Sequence, residues 1–250
     1  MLGSSSSVPR SGRACSSYLI ESTKAALVCD LGPGAFANLR RFIGYQRLDA
    51  VFITHMHADH FLDLIMLRNA LKYGPQRREA KLPVYLPASG ERSLHAVASG
   101  VGSDTSGDFF EDVFDLRTYQ ADNTLSVEDY QLNFAQTVHY IDAYAIRVQC
   151  NDAVLTYSAD TAPCANVVTL ARDSNLFVCE STLGPQGTEN GSRGHCSARE
   201  AALMAQEAHV KELLLTHYGS ESSPQRLEQE ARRHFQGQCT VADDLMQLTV

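Results

Sequence analysis

The sequence LDAVFITHMHADH, residues 48–60, decides how the rest of the chain is interpreted. Its apolar first half predicts a short buried strand. Three histidines and an aspartate then follow within six residues. Imidazole and carboxylate are the side-chain groups that suit Zn²⁺ and similar ions. A histidine-rich loop without a metal is the alternative interpretation, and the rest of the chain argues against it.

Spacing within this motif assigns its members to two neighbouring metal positions. His55 and His57 are two residues apart. In an extended segment their side chains point the same way and can share one metal. Asp59 and His60 come where the strand turns into a helix, so they can face a second metal beside the first.

Four further polar residues stand directly after apolar strands. His139 follows YQLNFAQTV, Asp160 follows AVLTYSA, Glu180 follows NLFVC and His217 follows LLLT. If these strands lie in one sandwich and point alike, their ends gather along one edge. Catalytic side chains commonly occupy such end loops, above a rigid scaffold. The pattern therefore predicts one site that also includes the 55–60 motif.

Short apolar runs alternate with helical patterns along the chain. A hairpin is predicted from SYLIES and AALVCD, and a helix from residues 61–73. Another helix, at 197–208, has Ser197 as its N-cap and Glu200 completing a capping box. The middle of the chain is dense in strands. Helices on both sides of a strand-rich middle fit an α+β protein whose two sheets are covered by helices.

The composition is that of a globular, acidic protein. The 250 residues are 44% hydrophobic, which is enough for a full core and fits a single domain over 1–250. The formal net charge of −8 leaves no general basic footprint for nucleic acid. The densest basic clusters, at 76–78 and 232–233, are interpreted as solvated surface.

Neither a membrane partner nor an oxidising compartment is indicated. No apolar run reaches the roughly 18 residues that span a bilayer. The N-terminal MLGSSSSVPRSGRACSS has no apolar segment behind its basic residues, so it is not a secretory signal. The seven cysteines are an odd number without a C-x-x-C pair, which argues against a disulfide framework. We therefore expect a cytoplasmic protein.

The motif H-x-H-x-D-H, followed by a later His, Asp and His, resembles that of the metallo-β-lactamase superfamily. The similarity runs from about residue 2 to residue 250. It implies a four-layer αββα sandwich and a complete set of ligands for two metal ions. The ligands implied for the first metal are His55, His57 and His139, those for the second are Asp59, His60 and His217, and the bridge is Asp160.

Shorter segments resemble the ribonuclease Z-like branch of this superfamily. They are SADT at 158–161, EST at 180–182, GHCSA at 194–198 and VADD at 241–244. The resemblance implies that His195 donates a proton to the leaving group and that Glu180 orients it. Aspartate, rather than cysteine, at the bridging position is typical of members that hydrolyse phosphodiesters and thioesters.

One departure from that branch concerns the substrate. Full bacterial ribonuclease Z enzymes carry a long basic arm that grips tRNA, between the third metal histidine and the bridging aspartate. Here Asp160 comes 21 positions after His139, and the interval contains the strands AYAIRVQ and AVLTYSA. The departure disfavours tRNA processing. It favours small relatives without the arm, several of which resemble phosphodiesterases, some acting on cyclic nucleotides.

The residues therefore predict a two-metal hydrolase that acts on a small or nucleotide-like phosphodiester, with cyclic nucleotides among the candidates. Zn²⁺ is the expected metal, and Mn²⁺ and Fe²⁺ are left open. Asp59 is expected to accept a hydrogen bond from the attacking hydroxide while binding metal. His195 supplies the proton that an alkoxide leaving group needs, and Glu180 holds its other ring nitrogen.

Three alternatives stay open at this point. They are a ribonuclease Z-type RNA 3′-end endonuclease, a lactonase or thioesterase, and an inactive metal-binding sensor. The complete ligand set argues against the sensor. RNA is the alternative partner to a small-molecule phosphodiester, and the resemblance implies a homodimer.

Four residues have two interpretations each. Cys196 adjoins His195 and is either reactive or a small hydrophobe. Phe109 and Phe110 either line a pocket over the metals or pack in the core. Arg193 lies in a glycine-rich loop and either meets a phosphate or does not reach the site.

Overall fold

Strands in the computed structural model, which describes residues 1–101 and 108–250, form two sheets. The first sheet has five strands in sequence order, of which the first two form the antiparallel hairpin and the rest are parallel. These strands are β1 (Tyr18–Glu21), β2 (Ala26–Cys29), β3 (Ala50–Phe52), β4 (Leu82–Leu86) and β5 (Phe114–Thr118).

The second sheet has seven strands in the order β12-β11-β10-β9-β8-β7-β6. Strands β6 to β9 form an antiparallel meander, and strands β9 to β12 are parallel. The strands are β6 (Thr124–Val127), β7 (Tyr130–Gln136), β8 (Tyr144–Cys150), β9 (Ala153–Tyr157), β10 (Leu176–Glu180), β11 (Glu212–Thr216) and β12 (Gln238–Val241).

Helices cover the outer face of each sheet. Four lie against the first sheet and three against the second. They are α1 (Ala35–Leu39), α2 (Ala58–Phe61), α3 (Leu64–Tyr73), α4 (Gly90–Val101), α5 (Ala165–Ala171), α6 (Ala198–Glu207) and α7 (Pro224–Ala231). A 3₁₀ turn at Tyr45–Arg47 precedes β3. The expected helix-covered, two-sheet sandwich is confirmed.

The apolar runs of the sequence are continuous because their strands are covered on both faces. In β11, Leu213 and Leu215 pack under the outer helices, whereas Leu214 points between the sheets. In β3, Val51 packs outward and Phe52 inward. This alternation with a period of two residues is that of an extended strand.

Strand direction brings the candidate residues to one edge. β7, β9, β10 and β11 run the same way in the second sheet, because two antiparallel pairings separate β7 from β9. Their carboxyl ends therefore share an edge, and residues after parallel strands meet there as in other α/β sheets. The carboxyl ends of β2 and β3 lie opposite them, since the Tyr157 hydroxyl donates to Asp30 across this edge and His55 Nε2 lies 3.7 Å from Asp160 Oδ2.

The structure differs from the sequence-based expectation in one helix and one strand. The helix expected at 61–73 is two helices, α2 and α3, and they separate at Asp63, whose backbone N–H donates to Leu31 and whose carboxylate accepts from the Phe36 N–H. The strand β6 has no counterpart in the sequence analysis. It lies at the sheet edge with an alternating exposed face, so it lacks the apolar run that marks the other strands.

Two further observations bear on the expected setting. All seven cysteines are free thiols. Within residues 1–101 and 108–250, no helix combines the length and the apolar character that crossing a membrane would require.

The capping box of α6 gives a test of the helix assignment. Ser197 accepts the Glu200 N–H, and Glu200 accepts the Ser197 N–H. Ser197→Ala is expected to lower the free energy of unfolding by about 0.5–2 kcal/mol in urea denaturation. Ser223, the N-cap of α7, makes no capping hydrogen bond, so Ser223→Ala is the matched control and should change stability less. Equal losses would mean that the Ser197 cap contributes nothing specific.

Candidate metal centre

The structure brings together all seven residues that the sequence singled out as metal ligands. Those that follow strands do so at the shared edge, and Asp59 and His60 lie on α2. The side chains form two groups in which the nitrogen and oxygen atoms lie within 4.8 Å of one another. The first group is His55, His57, His139 and Asp160, and the second is Asp59, His60, Asp160 and His217.

The first group consists of three imidazoles and one carboxylate. His139 Nε2 lies 3.0 Å from His57 Nδ1. His55 Nε2 lies 3.7 Å from Asp160 Oδ2. Tetrahedral zinc with bond lengths near 2 Å separates its ligand atoms by about 3.3 Å. The observed spacings match that separation.

The second group has the complementary composition of two carboxylates and two imidazoles. Asp59 Oδ2 lies 3.4 Å from His60 Nε2 and 3.2 Å from His217 Nε2. Asp160 Oδ1 lies 3.4 Å and 3.6 Å from the same two nitrogens. Asp160 therefore offers one oxygen to each group, which is the arrangement of a bridging ligand.

Buried atoms at the centre of the groups have unused bonding capacity. His55 Nε2, His60 Nε2 and Asp160 Oδ1 are buried and, within the described parts of the chain, accept or donate no hydrogen bond. A buried polar atom without a partner costs stability. Three such atoms pointing at one another fit divalent cations, which would bind all of them.

The opposite ring nitrogens of three ligand histidines, His55, His139 and His217, are held by neighbours. Thr54 Oγ1 lies 3.0 Å from His55 Nδ1 and Gly194 O lies 2.8 Å from His139 Nδ1. Thr182 Oγ1 lies 2.8 Å from His217 Nδ1. Such contacts fix which nitrogen faces a metal and how the ring is oriented. The imidazoles are therefore oriented before any metal binds.

Asp30 is the residue on which these outer contacts converge. Its fully buried carboxylate accepts four hydrogen bonds. Oδ1 accepts the Thr54 N–H at 2.8 Å, and Oδ2 accepts from Thr54 Oγ1 at 2.9 Å, Tyr157 OH at 2.9 Å and His60 Nδ1 at 2.7 Å. One carboxylate from β2 thus connects a metal-facing histidine of α2 with the end of β3 and with the second sheet.

The electrostatics keep the carboxylates of the centre ionised. Burial raises the pKa of Asp59, but hydrogen bonds from His217 and His60 lower it further, so its pKa lies below the usual range. Burial likewise opposes ionisation of Asp160, yet the charges of His217 and His60 hold its pKa well below normal. Both groups are therefore anionic at neutral pH and available to cations.

Three of the eight non-glycine residues with positive φ in the described parts of the chain lie where strands meet the site. Asp30, Ala159 and His217 adopt the left-handed region, with φ of 57°, 53° and 51°. Residues with side chains occupy this region only at a cost that the surrounding structure must offset. At these three positions the chain turns sharply after a strand. The turn places the side chains of Asp30, His217 and, after Ala159, Asp160 at the cluster.

A histidine–glutamate pair, His195 and Glu180, lies beside the second group. His195 Nδ1 lies 2.9 Å from Glu180 Oε1 and 3.9 Å from Asp160 Oδ2. Burial lowers the pKa of His195, but the hydrogen bond and charge of Glu180 raise it more, to about 9. Glu180 is fully buried and also accepts the Thr161 and Thr182 N–H groups, so it is held firmly.

The residues with two interpretations are also resolved. Phe110 is fully buried and Phe109 stacks on the Arg68 guanidinium, so both belong to the packing under the first sheet. Arg193 pairs with Glu200 at 2.9 Å instead of facing the cluster. Cys196 is fully buried, and its hydrogen bond with Cys179 together with burial raises the pKa of its thiol, which is the behaviour of a packed, unreactive group.

Sequence reasoning missed three residues around the site. Asp30 stands directly after the apolar run ALVC, so the rule that found Asp160 would have found it too. Glu189 accepts the backbone N–H groups of Gly194 and His195 from within a polar loop, where its position carries no periodic signal. Tyr140 adjoins His139 and contacts His195, which only the folded structure reveals.

One protein-family model and several known proteins are similar to this chain in sequence or in shape. The family model described as Anti-Pycsar protein Apyc1 matches residues 1–241. Probable metallo-hydrolase YhfI of Bacillus subtilis is 28% identical over 97% of this chain and 95% of its own. The crystal structure of the metallo-β-lactamase fold protein YhfI matches with a TM-score of 0.85 at 26% identity, covering 97% of this chain and 95% of that one.

A ribonuclease Z of Myxococcus xanthus is also similar, with 29% identity over 97% of this chain and 94% of its own. That alignment spans 291 positions, more than the 250 residues of this chain, so the ribonuclease Z carries insertions. The alignment with YhfI spans only 251 positions. The chain therefore matches YhfI almost without insertions, unlike the ribonuclease Z.

Asp30→Asn tests the role of the outer contacts. The amide keeps the shape but removes the charge and sets an NH₂ group against donors of Thr54, His60 or Tyr157. Loss of such an outer partner typically weakens metal affinity 10–100-fold, and about that loss is expected here in competition with a chromogenic chelator. Asp49→Asn is the control, because Asp49 precedes the amino end of β3 and accepts the Ala26 N–H at the start of β2. Wild-type affinity in Asp30→Asn would contradict the assignment.

Proposed function

Since this chain belongs to the family of the anti-Pycsar protein Apyc1, in the ribonuclease Z-like branch of the metallo-β-lactamase superfamily, we propose that it hydrolyses a small, nucleotide-like phosphodiester. The chain is a metal-dependent hydrolase. Cyclic nucleotides are among the candidate substrates.

The proposal assigns the seven side chains to two cation positions. His55, His57 and His139 would hold the first ion, and Asp59, His60 and His217 the second, with Asp160 between them. Divalent ions bound there would activate water for attack and neutralise charge on the phosphoryl oxygens. Zn²⁺ suits the mixture of imidazole and carboxylate best. Mn²⁺ and Fe²⁺ are accepted by the same donor types.

Asp59 and the His195–Glu180 pair supply the proton chemistry. Asp59 is anionic and partly reachable at the cluster, so it can accept a hydrogen bond from the attacking water and orient it. His195 keeps its Nδ1 on Glu180, which leaves Nε2 to donate a proton to the departing oxygen. An alkoxide leaves poorly without that proton, because its pKa lies far above neutrality.

The observation that carries the proposal is the His195–Glu180 pair, in which His195 Nδ1 lies 3.9 Å from Asp160 Oδ2. An imidazolium held beside two cation positions is suited to an anionic substrate whose leaving group must be protonated. A phosphodiester combines these features, since it carries a negative charge and releases an alkoxide. The third grouping of potential ligands, Glu180, His195 and His217, reflects the same proximity.

The net charge of the chain and the short interval between His139 and Asp160 favour a small substrate. The formal net charge is −8, which disfavours a long polyanion. Only β8 and β9 and short turns occupy the interval between His139 and Asp160, so a basic arm is absent from it. The similarity to a ribonuclease Z keeps RNA 3′-end cleavage as the second candidate, and precursor tRNA belongs in the substrate panel.

The homodimer remains a prediction. The resemblance motivates it, and α3 carries Met66, whose side chain is 47% exposed and available to a second copy.

Substitution of His195 tests the mechanism through the leaving group. General acid assistance is typically worth 10²–10⁴-fold, so His195→Ala should lower kcat by about that factor on a cyclic nucleotide. The loss should be clearly smaller on bis(p-nitrophenyl) phosphate, because p-nitrophenolate departs without a proton. Glu180→Gln should give the same pattern in weaker form. Bound metal, measured by elemental analysis, should stay at the wild-type level.

His95→Ala is the matched control, because His95 pairs with Glu111 on the surface of α4 and should leave both rates unchanged. An equal loss on the two substrates, or a loss of metal in His195→Ala, would show that His195 is a ligand or a structural support. Turnover of a lactone or of precursor tRNA, with no turnover of small phosphodiesters, would refute the proposed substrate class.

A further inference from the structure

Apolar side chains are exposed immediately around one of the candidate metal ligands. Among the described residues, nine large hydrophobic side chains are well exposed, and three of them flank His139. Val138 is 44% exposed, Tyr140 51% and Ile141 39%. Single exposed apolar residues are ordinary, but a group of them beside a polar centre indicates a surface that binds something.

Tyr140 is fixed in place although half of it is exposed. Its hydroxyl donates to Glu189 Oε1, while Glu189 Oε2 accepts the N–H groups of Gly194 at 2.7 Å and His195 at 3.0 Å. A Cβ at Gly194 would lie 2.5, 2.6 and 2.9 Å from three adjacent ring atoms of Tyr140. Near-equal distances to three neighbouring atoms place Gly194 over a face of the ring, and only glycine allows that approach.

The ring stands next to both halves of the reaction site. Its centroid lies 5.0 Å from that of the His139 imidazole and 5.7 Å from that of His195. A leaving group that takes its proton from His195 would lie close to this ring, because the two rings are neighbours. The segment therefore presents a rigid aromatic surface where the organic part of a substrate would be.

We propose that Tyr140 forms a base-binding wall, on which the nucleobase of a nucleoside phosphodiester stacks while its phosphate meets the metal centre. This inference rests on the proposed function and narrows it to substrates with an aromatic base. Every base has a flat π-face, so a tyrosine ring binds purines and pyrimidines without reading their edges. Val138 and Ile141 add exposed apolar surface in the same segment of the chain. Tyr140 acts on specificity and affinity, not on proton transfer.

Binding of reaction products isolates the contribution of the base. A nucleoside 5′-monophosphate and ribose 5-phosphate carry the same phosphate and sugar, and only the first has a base. Calorimetry with the metal-loaded protein is expected to show tighter binding of the nucleotide. Tyr140→Ala should weaken nucleotide binding about 5- to 150-fold, the range typical for loss of one stacked base, and leave ribose 5-phosphate binding unchanged. KM for a cyclic nucleotide should rise in parallel, with kcat within about threefold of wild type.

Tyr140→Phe separates stacking from the hydrogen bond to Glu189. It keeps the ring and should bind the nucleotide nearly as well as the wild type. Tyr73→Ala is the control for loss of an exposed tyrosine, since Tyr73 is 71% exposed at the end of α3. It should bind both products normally.

Three outcomes would overturn the inference. They are equal weakening of both products in Tyr140→Ala, unchanged nucleotide binding in Tyr140→Ala, and equal wild-type affinity for the two products. If the wild type still hydrolyses bis(p-nitrophenyl) phosphate in any of these cases, the base-binding wall fails while the phosphodiesterase assignment survives. Absence of turnover on every phosphodiester would instead refute the proposed function.

Discussion

The carboxylate of Asp160 is the group on which the rest of this site depends. It is 2% exposed, and its two oxygens face the nitrogens of His55, His60 and His217 at 3.4–3.7 Å. An ionised carboxylate removed from water is costly unless cations or hydrogen bonds compensate it. Here the neighbouring atoms are imidazole nitrogens, several of them unpartnered among the described residues. Divalent cations on both sides of this carboxylate would satisfy all of these groups together.

The scaffold holds these side chains in place through rigid elements. Strands from both sheets end at one edge: β2, β3, β7, β9 and β11 are each followed by a polar residue one to three positions beyond their last residue, and β10 ends on Glu180 itself. Left-handed backbone at Asp30, Ala159 and His217 shows that the turns are shaped for the site at some conformational cost. Asp30 joins the two sheets through Thr54 and Tyr157, so that the site and the sandwich stabilise each other. Rigid elements of this kind position catalytic groups more accurately than free loops do.

Local patterns in the sequence predict the two helix-covered sheets and the polar residues that gather at their shared edge, whereas the assignment of ligands to two metal positions comes from the family resemblance and stays a prediction. LLLT and LDAVFIT are apolar throughout because both faces of their strands are covered, and the polar residue after each strand marks the edge. The capping box at Ser197 is a local hydrogen-bond pattern and was predictable for the same reason. What local patterns omit is contact at long range. The edge strand β6 lacks an apolar run, and the split between α2 and α3 depends on contacts of Asp63 with residues about thirty positions earlier. The contact of Tyr140 with Gly194 joins positions that nothing in the sequence pairs.

The central claim is that one chain holds two divalent ions with Asp160 between them. The most direct measurement is elemental analysis of protein purified without chelator and then loaded with Zn²⁺ at neutral pH, alongside Asp160→Ala. The account predicts about two ions per chain in the wild type and a clear loss of bound metal in the variant, because each cation position would lose one oxygen ligand. Wild-type protein that stays metal-free after loading, or that binds one ion with no change in Asp160→Ala, would contradict it.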